Sequence, residues 1–342
     1  MKSLDIHLTN VNGLGAEKFV SGLVYHLLEG TSVAVKNVYA SSKLQIPRHF
    51  KSSDVTFKVY RMGIFSRILE IVLWRYRHSQ ENDLLVLGDL PLNTSAKQYV
   101  LCHQSLIFKK FKFTSVNFVK FFMFKLIFRI FLKKSDVVLV QSKEMAHKFR
   151  EEFGPQINVE IFDVTAEYFG WPPFHRSERH PVLRDSESIT LIYPSACYPH
   201  KNHKLLKLVN LEEKANVKLT ITESEFGDAS NELAFLGQIS REEVFQLYKT
   251  VDALLFLSSN ESLGMPIVEA VKCNLPIICP YAEYTNDLSD ENCFFFDLND
   301  PLSLQEAIQL ARSKIIAGWW PQLSLIDPFQ DRDRKRIEEI IR

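Results

Sequence analysis

Two carboxylates eight positions apart, Glu261 and Glu269, flank Gly264 and Pro266 in the stretch from Val251 to Ala270. An apolar run, Ala253 to Leu257, ends in a small polar loop. Gly264 lets backbone approach a ligand closely, and Pro266 suits the first turn of a helix. A strand, a loop and a helix start are therefore expected in that order. Free backbone N–H groups at such a helix start, beyond a strand's carboxyl end, can receive hydroxyls or phosphate. The residues alone leave the chemistry open. The pair could serve acid/base catalysis, bind a metal or hold sugar hydroxyls. Equally, Glu269 could answer the helix dipole and Glu261 lie in a solvated loop.

The elements needed to position these residues are legible as short apolar runs separated by helical-length segments, the pattern of parallel sheets with crossover helices. In the first half they are Leu4 to Leu8, Leu84 to Leu87, Tyr99 to Cys102 and Val137 to Val140. In the second they are Ile189 to Tyr193, Val217 to Ile221, Ala234 to Leu236, Ala253 to Leu257, Pro276 to Cys279 and Cys293 to Phe296. Two doubly wound α/β domains are expected, with the break in Trp171 to Ser188, where Trp171-Pro172-Pro173 and a polar run containing Pro181 interrupt the pattern. The expected division is 1–170, 171–310 and a helical segment 311–342 that returns to the first domain. No internal repeat is visible.

The chain has 342 residues and no net charge, yet Met1 to Arg150 carries 23 Lys and Arg against 10 acids, and Glu151 to Arg342 carries 18 against 31. The basic half is expected to meet something anionic, a membrane surface or a phosphorylated acceptor. No acid occurs between Leu90 and Ser135, where Lys97, Lys109, Lys110, Lys112, Lys120, Lys125, Arg129, Lys133 and Lys134 are interleaved with nine phenylalanines from Phe108 to Phe131. A helix over Val116 to Leu132 is too often interrupted by cations to span a bilayer and is expected to lie on one. Core packing explains some of the phenylalanines but not the missing acids, so segment 106–134 is read as the contact with an anionic membrane. Nucleic-acid signatures are absent, and no nucleic-acid partner is expected. Five scattered cysteines show neither a disulfide framework nor a zinc spacing, and the N-terminus lacks a signal-peptide pattern. A cytoplasmic protein, peripheral on the inner face of the cytoplasmic membrane, is expected.

The stretch from Glu261 to Glu269, with Gly-x-Pro between the acids, resembles the Glu-x7-Glu signature of the retaining family 4 glycosyltransferases. Three further segments stand in that family's order. Asn12 to Lys18, after the first strand, is similar to its Gly-Gly-Ala-Glu-Arg loop. Ser135 to Ser142 resembles the strand that precedes its interdomain crossing. Tyr193 to His203, with Pro199-His200-Lys201-Asn202, resembles its phosphate-binding loop in the variant seen in bacterial O-antigen and capsule assembly enzymes. One departure is that Ala196 and Cys197 stand where many members carry an Arg, leaving Lys201 to carry the charge at the diphosphate.

The resemblance implies a GT-B fold, two Rossmann-like doubly wound domains with a cleft between them. It also implies a retaining transferase that moves a sugar from a UDP- or GDP-linked donor to a saccharide acceptor, here read as lipid-linked. Lys201, Glu261 and His103 become the catalytic candidates. Gly13, Gly15, Gly237, Ser262, Leu263, Gly264 and Glu269 become donor-binding candidates, with Glu261 at the sugar, Glu269 at the ribose and Phe235 to Ile239 at the base. His103, at the end of its strand, and Asp89, in the loop Gly88 to Leu92, are acceptor-side candidates. Neither a metal nor a cofactor is expected. The rival readings are a non-hydrolysing sugar-nucleotide epimerase and a catalytically idle GT-B partner in a polysaccharide-assembly complex.

Overall fold

The computed structural model describes residues 3–11, 14–29, 33–42, 55–61, 63–109, 111, 116–163, 188–228, 230–286, 288, 293–321 and 334–341. It divides into two compact units, Met1–Gly170 with Arg332–Arg342, and Trp171–Asp331.

In the first unit the elements run β1 (Ser3–Leu8), α1 (Leu14–Leu28), β2 (Ala34–Ser41), β3 (Thr56–Tyr60), α2 (Ile64–Arg77), β4 (Asp83–Val86), β5 (Gln98–Leu101), α3 (Val116–Phe131), β6 (Val137–Val140), α4 (Lys143–Phe153) and β7 (Val159–Phe162). The described strands form one parallel sheet in the order β14-β7-β6-β5-β4-β1-β2-β3, where β14 is Arg334–Lys335. The central strands are buried on both faces and read as unbroken apolar runs, as helix-covered parallel strands must. Ile71 and Trp74 of α2, Phe121 and Phe128 of α3, and Phe149 of α4 share one core cluster with Val100 and Val138 of the sheet.

The second unit runs β8 (Ile189–Tyr193), β9 (Ala215–Leu219), α5 (Glu223–Phe226), β10 (Leu233–Phe235), α6 (Arg241–Tyr248), β11 (Ala253–Leu255), α7 (Met265–Lys272), β12 (Ile277–Pro280), β13 (Cys293–Phe296) and α8 (Pro301–Ile316). Its parallel sheet has the order β10-β9-β8-β11-β12-β13. Both sheets thus contain the doubly wound order 3-2-1-4-5-6. The order reverses at β1/β4 in the first unit and at β8/β11 in the second, the places where such sheets open a crevice beyond the strand ends.

The expected helical segment 311–342 needs correction. The buried face of α8, Leu304, Ala307, Ile308, Ala311 and Ile315, runs without a break past residue 311. That residue lies inside a second-unit helix, and the returning segment begins at Arg332. It is a short strand and then a helix, α9 (Ile337–Ile341), whose Ile337 and Ile341 are buried. The Tyr99 hydroxyl donates to the Ile341 carbonyl at 3.3 Å, and His26 pairs with Glu338. The expected break, Trp171 to Ser188, lies outside the described residues except for Ser188.

Candidate functional site

The second unit gathers its polar groups at the β8/β11 reversal. Leaving β8, the chain passes Ser195 and makes a 3-10 turn, Pro199–Lys201, closed by Asn202 in the left-handed conformation. Three bonds pin this loop to its surroundings. The Tyr193 hydroxyl donates to the Lys201 carbonyl at 2.6 Å, Asn202 Nδ2 donates to the Leu257 carbonyl at 2.9 Å, and the Ser259 amide donates to the His200 carbonyl at 2.8 Å. The loops after β8 and β11 are therefore one hydrogen-bonded unit. From it the Lys201 ammonium reaches the Glu261 carboxylate while lying 5.4 Å from the centre of the Phe256 ring.

His203 is buried behind this loop, with Nε2 3.0 Å from Ser195 Oγ and its ring beside Tyr193. Burial and then the charge of Lys201 push its pKa down to about 4, so the imidazole is neutral at pH 7. A charged His203 would repel the cation the loop presents.

Gly264 takes φ 76° and ψ 67° immediately before α7, a left-handed geometry that costs any other residue energy. Pro266 occupies the first turn that follows. Leu263 is buried and Ser262 is half-buried. Glu269 is buried in α7. Its Oε2 accepts from the Tyr248 hydroxyl at 3.0 Å and its Oε1 lies 3.3 Å from Arg241 Nε. Burial and the neighbouring Glu269 push the Tyr248 phenol well above its usual range, which keeps it a donor. The two glutamates are thus held in separate ion pairs. Gly237 has φ 66° and donates its amide to the Ile221 carbonyl at 3.1 Å, forming the turn that leads into α6.

In the first unit, Asp89 and His103 come together at the carboxyl ends of β4 and β5. Asp89 Oδ1 accepts from the His103 amide at 2.8 Å, and Oδ2 lies 3.5 Å from His103 Nε2. Asp89 itself is left-handed at φ 68°. The preceding Gly88 is fixed by contact, since Asn10 Nδ2 donates to its carbonyl at 2.7 Å and a Cβ there would lie 2.7 Å from Asn10 Cβ. Gly13 lies outside the described residues. Gly15 is in the first turn of α1.

Sequence reasoning did not single out Arg241, Tyr248 or His203, nor the network at the carboxyl end of β1. In that network Thr9 Oγ1 donates to Glu70 Oε2 at 2.7 Å, while His7 Nε2 lies 3.2 Å from Glu70 Oε1. Burial raises the Glu70 pKa, but the bonds from His7 and Thr9 outweigh it and hold the carboxyl below its usual range. The available signal was His7 itself, a polar residue inside an apolar strand.

In α3, Phe121 and Phe128 face the core, while Val116, Val119, Met123, Leu126 and Ile130 recur three or four apart on an exposed face. Lys125 and Arg129 both pair with Glu152 of α4, and Lys120 lies over the Phe121 ring at 5.0 Å. Of the segment 106–134, residues 110 and 112–115 are outside the described set. No described helix is long and apolar enough to cross a membrane.

Residues 175–313 match the family described as Glycosyl transferases group 1. The match covers 139 of the 342 residues, all of them within the second unit. Among curated proteins, the chain is similar to the serotype-specific mannosyltransferase WbdA of Escherichia coli, at 29% identity over 23% of this chain and 10% of that protein. It also resembles the O-antigen chain mannosyltransferase RfbU of Salmonella typhimurium, at 24% identity over 36% of this chain and 44% of that protein. These matches span less than half the length of either relative. Three solved structures share the fold over essentially the whole chain. They are sucrose-phosphate synthase from Thermosynechococcus elongatus (TM-score 0.69, 12% identity, 100% of this chain and 96% of that one), WaaG, a glycosyltransferase involved in lipopolysaccharide biosynthesis (0.68, 12%, 99% and 98%), and Anabaena Alr3699/HepE in complex with UDP-glucose (0.66, 14%, 100% and 97%). The chain thus shares the GT-B fold, as the resemblance implied.

Proposed function

We propose that the protein is a retaining glycosyltransferase that moves a sugar from a nucleotide-diphosphate donor to a lipid-linked saccharide in O-antigen-like polysaccharide assembly. The observation that carries this reading is the joined loop pair of the second unit. A cation, Lys201, and two carboxylates, Glu261 and Glu269, surround a helix start at the reversal point of a doubly wound sheet. As the bond between the anomeric carbon and the diphosphate breaks, negative charge grows on the leaving oxygen. Lys201 has three N–H donors and can keep Glu261 while donating to that oxygen. Glu261 is assigned to the sugar hydroxyls and Glu269 to the ribose. The acceptor proton passes to a donor phosphate oxygen, so no protein nucleophile is required. The similarity to the mannosyltransferases WbdA and RfbU supports a glycan of the O-antigen kind, and the Alr3699/HepE complex supports a nucleotide-sugar donor.

The Asp89–His103 pair is assigned to the acceptor hydroxyl and its surroundings. The exposed apolar face of α3, in a segment without acids, supports attachment to an anionic membrane, which would bring a lipid-linked acceptor within reach. A thermal-shift screen against UDP, GDP, TDP and CMP, with Glu269→Ala alongside, tests the donor site. Stabilisation by one nucleotide that is diminished in Glu269→Ala supports the reading. A flat response to all four brings forward the idle partner protein.

A further inference from the structure

One turn in the first unit ties α2 to the loop that follows β4. The Val11 amide donates to the Leu8 carbonyl at 3.3 Å, so Leu8 to Val11 form a β-turn with Thr9 and Asn10 at its central positions. The two side chains bond to different elements. Thr9 is fully buried, where its hydroxyl requires a partner, and Glu70 of α2 accepts from it at 2.7 Å. Asn10 Nδ2 donates to the Gly88 carbonyl at 2.7 Å.

The second of these bonds bears on Asp89. The Gly88 carbonyl belongs to the same planar peptide as the Asp89 nitrogen, so a bond at that oxygen orients the plane from which Asp89 departs. Asp89 departs in the left-handed conformation, at φ 68°, which a residue other than glycine keeps only where its surroundings hold it. From there its carboxylate accepts from the His103 amide at 2.8 Å and faces the His103 ring at 3.5 Å. Gly88 is not itself left-handed, and its backbone conformation would admit a side chain. Asn10 excludes one, because its Cβ would lie 2.7 Å from the added Cβ.

We propose that Asn10 is a positioning residue for the Asp89–His103 pair, acting through the Gly88 carbonyl, and that Thr9 and Glu70 hold Asn10 in place from α2. This rests on the acceptor-side reading of the pair given above. It adds that the geometry of the pair is set from β1 and α2, by residues that need not touch the acceptor.

Amide spectra of the ¹⁵N-labelled full chain test it, with the His103 amide as the probe and His103→Gln to assign it. Asp89→Asn gives the position of that resonance without a carboxylate partner, upfield of the wild type, since a bond to a charged acceptor is the stronger one. Asn10→Asp keeps the shape of the side chain and removes the donor, and Gly88→Ala forces the contact apart. Both should move the His103 amide toward its position in Asp89→Asn, and Thr9→Val should move it less in the same direction. Rescue is expected as well. On an Asn10→Gly background Gly88→Ala should add little further shift, because the nearest remaining atom is the Cα of residue 10 at 3.4 Å, an ordinary contact. A merely structural role would lower the melting temperature without this displacement or its rescue. A His103 amide that stays in place in Asn10→Asp and Gly88→Ala overturns the proposal, as does a Gly88→Ala shift undiminished on Asn10→Gly. The acceptor-side reading fails separately, if Asp89→Asn and His103→Gln transfer sugar from UDP- or GDP-linked donors to octyl glucoside at the wild-type rate.

Discussion

Lys201 and Glu261 lie sixty residues apart in the chain and form an ion pair with both side chains largely covered. The pair joins the loop after β8 to the loop after β11, so the cation assigned to the donor diphosphate is already held by the carboxylate assigned to the donor sugar. Arrival of a diphosphate changes the partners of an existing charge and need not bring a new one out of water.

Removing that charge should act on the phosphates and not on the base. Lys201→Ala is expected to weaken UDP or GDP binding by about tenfold or more, as loss of a hydrogen bond to a charged group implies, while the parent nucleoside is affected little. Competition titrations with nucleoside, monophosphate and diphosphate measure it. Equal losses for all three would place Lys201 away from the phosphates.

Much of this site could be read before any coordinates. The strands β1, β4, β5, β6, β8, β11, β12 and β13 are buried on both faces and announce themselves as apolar runs, and Gly264 and Pro266 mark the start of α7. β2 and β3 were not legible. Lys36 and Asn37 interrupt the first, and the second is an edge strand with Thr56, Lys58 and Val59 exposed, so neither shows a continuous apolar signal. Likewise the Glu-x7-Glu spacing pointed to Glu269 but not to Arg241 or Tyr248, because their relation is set by how α6 packs on α7. In the basic segment, counting charges overstated the cations presented to a surface. Glu152, from the next helix, takes up both Lys125 and Arg129.

Gly264→Ala should destabilise the second unit by about 1–2 kcal/mol, the cost of a side chain in left-handed backbone. The added Cβ would also meet Ile267 Cδ1 at 3.2 Å. Urea unfolding with a probe in that unit checks the loss, and Gly63→Ala, in extended backbone near no tight neighbour, is the control. Equal stability of the two variants would contradict the strained geometry.

His203 gives a signed pH dependence. Its folded pKa, about 4, lies below the unfolded value of 6.5, so between these the unfolded chain binds more protons. The neutral ring's contribution is complete above pH 6.5 and is lost as pH falls toward 4. The full shift corresponds to about 3 kcal/mol. His203→Gln should be less stable at pH 7 yet show a flatter decline in Tm between pH 6.5 and 4. An unchanged slope would mean that His203 does not stay neutral in the folded state.

The α3 surface carries the last prediction. Its exposed stripe of Val116, Val119, Met123, Leu126 and Ile130 needs no disturbance of Phe121 or Phe128 to reach a bilayer, and each side chain that enters the headgroup boundary contributes about 1 kcal/mol or more. A cation near an anionic surface contributes about 1 kcal/mol, and Lys125 and Arg129 are already engaged by Glu152. The apolar face should therefore dominate. Val119→Glu with Met123→Glu is expected to abolish sedimentation with vesicles of mixed phosphatidylcholine and phosphatidylglycerol. Lys120→Gln should weaken it only a fewfold, and only where the anionic lipid is present. Because all three side chains are exposed, the melting temperature should barely change. Full vesicle binding by the double glutamate variant would show that α3 is not the contact and would leave the basic character of this half to be explained by an anionic acceptor.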